Sequence, residues 1–430
     1  MINIKNLCVD GFKNIHELTI NLNKINTFLS SNNYGKSNVL TSINFGFDFI
    51  SASSNDKKNM MSWKPGLPLN ITDFGKNFRF EIVFECFSDE TKIVKYGYEF
   101  AWAKNSKQPG VIVAEYLKVK QNDSQKFATF IDRTTESAKY QSAPKGRCDK
   151  DIIINDSELI INKISAFDDL FYLDVVSSIN ELNIFVDRHF DARELFDAVP
   201  IIQKNNDNLS LYSDNNIART LYYLKKEHKN KYELIINTLM DFFPYINDVK
   251  IKEINLAEKN LKVNIDENSP FELADYIYTL YVNDKYMAKT IPFNYMSDGV
   301  KRILSLLTYM TLADIKGVPL IGIEEPENSV HPGLLKKYID VIDGFMEYSK
   351  VIITSHSPYL INYIDLKNLY IGEPTSDGRA IFKSISNKGI NKIIDYAEEM
   401  GVQTGEYLFS VVSGYDEFDL DLVKKYLEND

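Results

Sequence analysis

Asn32-Asn33-Tyr34-Gly35-Lys36-Ser37 follows an apolar, strand-like run, Ile25-Asn26-Thr27-Phe28-Leu29, and precedes helical apolar spacing from Val39 to Phe49. At a strand-to-helix junction the first backbone amides of the helix already favour an anion. Gly35 lets the backbone approach a phosphate, Lys36 adds charge, and Ser37 offers a hydroxyl to a divalent cation, as in the second half of the phosphate-loop pattern. Asn33 and Asn38 flank these residues and complete the candidate binding loop. The first glycine of the pattern, six residues before the lysine, is Ser30 here, which predicts a conformational cost at that turn and a lower nucleotide affinity. Gly-Lys-Ser alone is a weak signal.

Two segments far downstream make it stronger. Val318 to Ile323 is a buried-strand pattern ending in Glu324-Glu325-Pro326-Glu327. A strand that ends in paired carboxylates suits one for Mg²⁺ and the next for polarising water. A solvated acidic loop is the bland alternative, but a second apolar strand, Val351-Ile352-Ile353, runs into Thr354-Ser355-His356-Ser357. If the strands are parallel neighbours, both carboxylates and the imidazole reach one sheet edge. His356 then becomes a candidate γ-phosphate sensor, and His331 is expected only to shape the turn after the carboxylates. Met296-Ser297-Asp298-Gly299 opens a helix from Val300 to Leu312, so Ser297 and Gly299 can present a hydroxyl and amides to phosphate. Within one chain a plain helix cap would explain them.

The chain has 430 residues, 44% of them hydrophobic, enough to bury the core of one large or two closely joined domains. A net charge of -11 argues against a surface devoted to nucleic acid, since phosphate binding draws on clustered Lys and Arg. The densest basic run, Lys225 to Lys231, reads as a solvated turn in a helical hairpin between Ile217–Leu224 and Tyr232–Phe243. No apolar run is long enough to span a bilayer and no leader is visible, so a cytoplasmic protein is expected. Cys8, Cys86 and Cys148 have no metal-site spacing.

Strands are expected at Ile2–Ile4, Leu18–Leu22 and Ile25–Leu29, and again at 78–87, 94–102 and 111–119. Residues 51–75 read as an irregular surface segment and 121–160 as weakly patterned mobile loops. Neither arm of the hairpin sustains heptads, so no long coiled coil is expected. The fold class is α/β, a P-loop NTPase core with an antiparallel β lobe and a helical insertion. The expected division is a core at 1–50 and 290–375, the lobe at 76–120, a variable and helical insertion at 121–245, a returning β segment at 246–289 and a C-terminal extension at 376–430.

These segments together resemble the ABC-type ATPase heads of the SMC, RecF and OLD-like families, especially compact AAA family ATPases of bacterial defence operons. The resemblance implies two heads sandwiching two ATP molecules, with Ser297 and Gly299 of one subunit closing on the γ-phosphate held by Lys36 of the other. It further implies Ser37 and Glu324 for Mg²⁺, Glu325 as general base and His356 as γ-phosphate sensor. The implied partners are a second copy in a homodimer or higher homo-oligomer, a separate effector such as a nuclease or toxin, and nucleic acid as a candidate trigger, with no membrane. Two other readings stand beside this switch. One is an OLD-like nuclease, for which about seventy residues after His356 are too few to hold a further domain, and for which Glu417, Asp419 and Asp421 imitate an acidic cluster. The other is a nucleotide-stabilised scaffold with little turnover, to which Ser30 lends some weight.

Overall fold

The computed structural model describes residues 2–87, 91–105, 107–121, 126–187, 194–197, 200–204, 216–256, 269–328, 330–346, 348–373, 375–413 and 417–427. In chain order the elements begin with β1 (Ile2–Asp10), β2 (Leu18–Asn21), β3 (Ile25–Leu29), α1 (Lys36–Ser51) and α2 (Ser54–Met61). Then come β4 (Phe78–Phe87), β5 (Thr91–Ala101), β6 (Val111–Lys120), β7 (Ala128–Arg133), β8 (Ala138–Tyr140) and β9 (Lys150–Asp151). The middle carries α3 (Ile160–Ile164), α4 (Leu173–Asn180), β10 (Ile184–Asp187), β11 (Ile201–Gln203), α5 (Ile217–Glu227), α6 (Lys229–Phe242), β12 (Ile246–Asn255), β13 (Phe271–Leu273), β14 (Tyr276–Asp284) and β15 (Ile291–Pro292). The last part holds α7 (Asp298–Lys316), β16 (Leu320–Glu324), α8 (Leu335–Phe345), β17 (Lys350–Ser355), α9 (Pro358–Ile361), β18 (Leu369–Glu373), β19 (Ile381–Ser384), α10 (Asn387–Met400), α11 (Thr404–Ser413) and α12 (Glu417–Tyr426).

The chain divides into two compact units, Met1–Val186 with Gly317–Glu325 and Tyr348–Asp430, and Asp187–Lys316 with Pro326–Glu347. The first unit is built on two sheets. One is antiparallel, in the order β2-β1-β4-β5-β6-β7-β8-β9, and the other runs β10-β16-β17-β3-β18-β19. In the second sheet β16, β17, β3 and β18 are parallel, with Glu324 beside Thr354 and Ser355 beside Leu29. Parallel strands covered on both faces need continuous apolar runs, and Leu320 to Ile323 and Val351 to Ile353 supply them, all essentially buried. Alternation in β4, with Phe78, Phe80, Ile82 and Phe84 all fully buried, turns one face of the antiparallel sheet onto α1.

Two expectations about segments fail. Residues 51–75 include α2, whose N-cap Ser53 accepts from the Asp56 amide and whose Lys57 and Met61 are buried one turn apart. A serine N-cap without a long apolar stripe is enough, because Met61 joins the core of the first unit. Within 121–160, residues 128–133, 138–140 and 150–151 form β7, β8 and β9, short strands whose pairing is provided by β6 and then by each other. The expected hairpin of α5 and α6 is present in the second unit, turning at His228, and packs on the sheet β12-β14-β15. Among the described residues no helix is long and apolar enough to cross a membrane. The longest of these helices, α7, has 19 residues, so no long coiled coil is found among the described residues.

Candidate functional site

In the first unit the loop between β3 and α1 is shaped by backbone conformations that few residues accept. Gly35, the N-cap of α1, has φ 131°, and a Cβ there would lie 3.0 Å from both Ala380 and Asn14. Asn33 also has a positive φ, 60°, which asparagine tolerates better than most residues. Ser30 has no positive φ, so the conformational cost expected from its replacing glycine does not arise. It is buried against Gly372 of β18, where a Cβ would meet the Ser30 Cβ at 2.7 Å. Lys36 is 5% exposed; its Nζ donates to the carbonyls of Ser30 (2.8 Å) and Ser31 (2.9 Å) and to Ser30 Oγ (3.2 Å).

The carboxylates stand at the ends of neighbouring strands. Ser37, on the first turn of α1, donates its hydroxyl to Glu324 Oε1 across 287 positions of sequence. Glu325 follows with φ 45°, a left-handed conformation rare for a side-chain-bearing residue, held by its amide donating to the Thr354 carbonyl at 2.9 Å. His356 Nε2 lies 3.1 Å from Glu325 Oε1. A carboxylate only accepts, so Nε2 carries the proton. Burial, then the Lys36 ammonium, hold the His356 pKa below the ordinary histidine range in spite of Glu325. The imidazole is therefore neutral near pH 7. The tertiary structure thus gathers Lys36, Ser37, Glu324, Glu325 and His356 at one sheet edge.

Ser297 and Gly299 belong to the second unit. They begin α7, beside a cleft of about 360 Å³ whose lining includes Asp298, Phe243 and His331. His331 caps the turn after the carboxylates, its Nδ1 accepting from the Gly333 amide at 3.1 Å. Among the described residues no group of three metal-ligating side chains is assembled. Glu417, Asp419 and Asp421 fall on α12, and their side chains lie outside the described residues.

Residues 31–362 match the family described as "AAA domain, putative AbiEii toxin, Type IV TA system", a span that contains the phosphate loop, both carboxylates, Ser297 and His356. The chain belongs to this AAA family. No curated protein matches the chain. Among solved structures it is similar to an SMC head bound to the C-terminal winged-helix domain of ScpA, at 14% identity over 91% of this chain and 99% of that one with a TM-score of 0.46. An SMC head domain from Thermotoga maritima gives 11% identity, 89% and 99% coverage, and a TM-score of 0.41. The recombination mediator RecF–ATPrS gives 12%, 89% and 98%, and 0.39. With the loop Asn33–Asn38 following β3, Glu324 two strands away at the end of β16 and an antiparallel sheet in the same unit, this AAA protein has the α/β core of a P-loop NTPase.

Several residues that support the AAA site are not recognisable from motifs. Asn14, between β1 and β2, donates to the Tyr34 carbonyl at 2.8 Å and accepts from Asn38 Nδ2 at 2.8 Å. Lys13 Nζ donates to Asn38 Oδ1 at 3.0 Å. Tyr34 reaches β18 and β19, its hydroxyl donating to the Glu373 carbonyl and accepting from the Ile381 amide at 3.0 Å. Burial pushes its phenol up to about 12. The only hint in the sequence was an aromatic inside a loop otherwise made of small polar residues.

Proposed function

We propose that the chain is an ATP-driven switch that pairs with a second copy through composite sites, hydrolyses ATP and controls a separate effector. The observation that carries this reading is the convergence of Lys36, Ser37, Glu324, Glu325 and His356 on one edge of the parallel sheet. Lys36 and the amides of the loop from Asn33 to Asn38 would hold the β- and γ-phosphates. The Ser37 hydroxyl and Glu324 carboxylate, already in contact, form a hard oxygen donor pair of the kind Mg²⁺ accepts while keeping most of its waters. Held by these two residues, Mg²⁺ would supply positive charge against that developing on the phosphates. Glu325 takes the proton of the attacking water, its carboxylate aimed by the strained backbone and by the His356 N–H. Neutral His356 can donate to the γ-phosphate in exchange for Glu325, which ties phosphate loss to the position of the base.

Ser297 and Gly299 serve the nucleotide of the opposing copy, which makes closure depend on ATP. The family description, naming a toxin of a type IV toxin–antitoxin system, supports a setting in anti-phage defence with a nuclease or toxin as effector. Phosphate release and solution mass of the wild type and Glu325→Gln test the core of this. The substitution should lower turnover by about 10²–10⁴-fold, leave ATP binding intact and accumulate an ATP-bound pair. Unchanged turnover would sink the assigned base.

A further inference from the structure

Between the 3₁₀ turn at Lys64–Gly66 and β4, residues 67–77 carry three strongly exposed large apolar side chains: Leu69 is 72% exposed, Ile71 98% and Phe74 76%. Exposed apolar groups on a floppy loop would mean little. This loop, however, is fastened from beneath. Asp73 is buried and meets His16 Nδ1 at 3.0 Å, while Arg379 Nη1 contacts His16 Nε2 at 3.1 Å. Asn70 donates to the Asp377 carbonyl, Lys76 pairs with Asp10 at 2.8 Å, and Arg379 pairs with Asp377 at 2.7 Å.

The fastening residues are chain neighbours of residues that touch the phosphate loop. Asn14, which holds the Tyr34 carbonyl, also donates to the Gly378 carbonyl at 3.4 Å, and Ala380 is the neighbour of Gly35. The Lys13 amide donates to the Gly66 carbonyl at 2.8 Å, so the loop begins beside the residue that contacts Asn38. The three apolar side chains are thus carried on the rim of the phosphate site with their backbone already ordered. In the second unit, two residues before Ser297, Tyr295 is 78% exposed at the end of a 3₁₀ turn whose Phe293 is buried and stacked on Phe196 at 4.7 Å.

We infer that Leu69, Ile71 and Phe74 are the apolar contact that a second copy of this chain makes beside the composite site, with Tyr295 of that copy as their counterpart. This rests on the sandwich reading, in which the surface bearing Ser297 faces the surface bearing Lys36. The occupant is a second copy because both exposed apolar features flank the two halves of one nucleotide site. Two-fold symmetry makes each contact twice, so a small patch counts double. Preordered apolar residues suit such a role because little entropy is lost when they are covered.

The test uses the full chain with Glu325→Gln, ATP and Mg²⁺, and measures the dimer dissociation constant by sedimentation, with monomer affinity for a fluorescent ATP analogue alongside. Ile71→Ser with Phe74→Ser should weaken the dimer by at least about tenfold, roughly 1.4 kcal/mol, and Tyr295→Ala by a similar factor, with nucleotide affinity within about twofold of the parent. Combining loop and Tyr295 changes should add little, as expected of residues that touch. Circular dichroism checks that the variants fold, and a Leu69→Ser variant reads the same rim independently. Undiminished dimerisation of the loop variants would overturn the loop assignment while leaving the sandwich intact. Loss of nucleotide affinity in the monomer would overturn it too, assigning the rim to the base. A Glu325→Gln parent that stays monomeric with ATP would overturn both.

Discussion

Ser30 shows how one residue can be misjudged from a motif. The pattern suggests that glycine is needed there for its backbone, yet the position has no positive φ, and space is made instead by Gly372 on the adjacent strand. The serine hydroxyl also joins the shell around Lys36. Ser30→Gly is therefore expected not to raise ATP affinity, as titration calorimetry would show. Gly372→Ala should do harm, since its Cβ would meet Tyr34 Cε1 at 2.6 Å and Ser30 Cβ at 2.7 Å. Overpacking of this kind costs about 1–3 kcal/mol, readable by urea unfolding, and should weaken nucleotide binding in step. Lys57 gives a pH prediction. Burial lowers its pKa from 10.5 to about 8, with only partial relief from Glu115. Between those values the unfolded chain holds more protons, so stability rises with pH through the window, and the full penalty applies below pH 8. Lys57→Met should remove this rise, at most about 1.4 kcal/mol per pH unit, in unfolding measured from pH 8 to 9.5.

At the scale of elements, the informative cases are those whose patterns were short. The helix α2 has little apolar surface, and its start is fixed by Ser53, whose hydroxyl accepts from the Asp56 amide at 3.2 Å and donates to its carboxylate at 2.7 Å. Ser53→Ala should cost about 1 kcal/mol in thermal unfolding, with Ser53→Asp recovering most of it. The strand β10 is four residues long and hides in a region of helical spacing, because an edge strand beside β16 needs no longer signal. By contrast α1, α7, β4 and β17 were evident, each carrying a sustained apolar period that burial enforces over its length.

For the whole molecule, the division into units falls between Glu325 and Pro326, so the proposed base and the turn after it belong to different compact units, as do Lys36 and Ser297. A ligand held by the first unit should stabilise it by mass action. ATP with Mg²⁺ at 100 times its dissociation constant should add about 2.7 kcal/mol, seen as a raised unfolding midpoint. Lys36→Ala should abolish the shift. No such shift in the wild type would count against nucleotide binding at this loop.

The sequence by itself determined the class of fold and pointed to the segments proposed to carry the chemistry, because glycine, lysine and paired carboxylates at strand ends have local requirements that local spacing reveals. It also determined the helical hairpin and the absence of heptads. Only the tertiary structure decided that Ser37 touches Glu324, that Tyr34 is pinned to β18 and β19, that Gly372 makes room for Ser30, and that His16 fastens the apolar rim through Asp73. Each of these depends on the register of strands from distant parts of the chain, and a register is chosen by the packing of whole faces, which no short window of sequence contains.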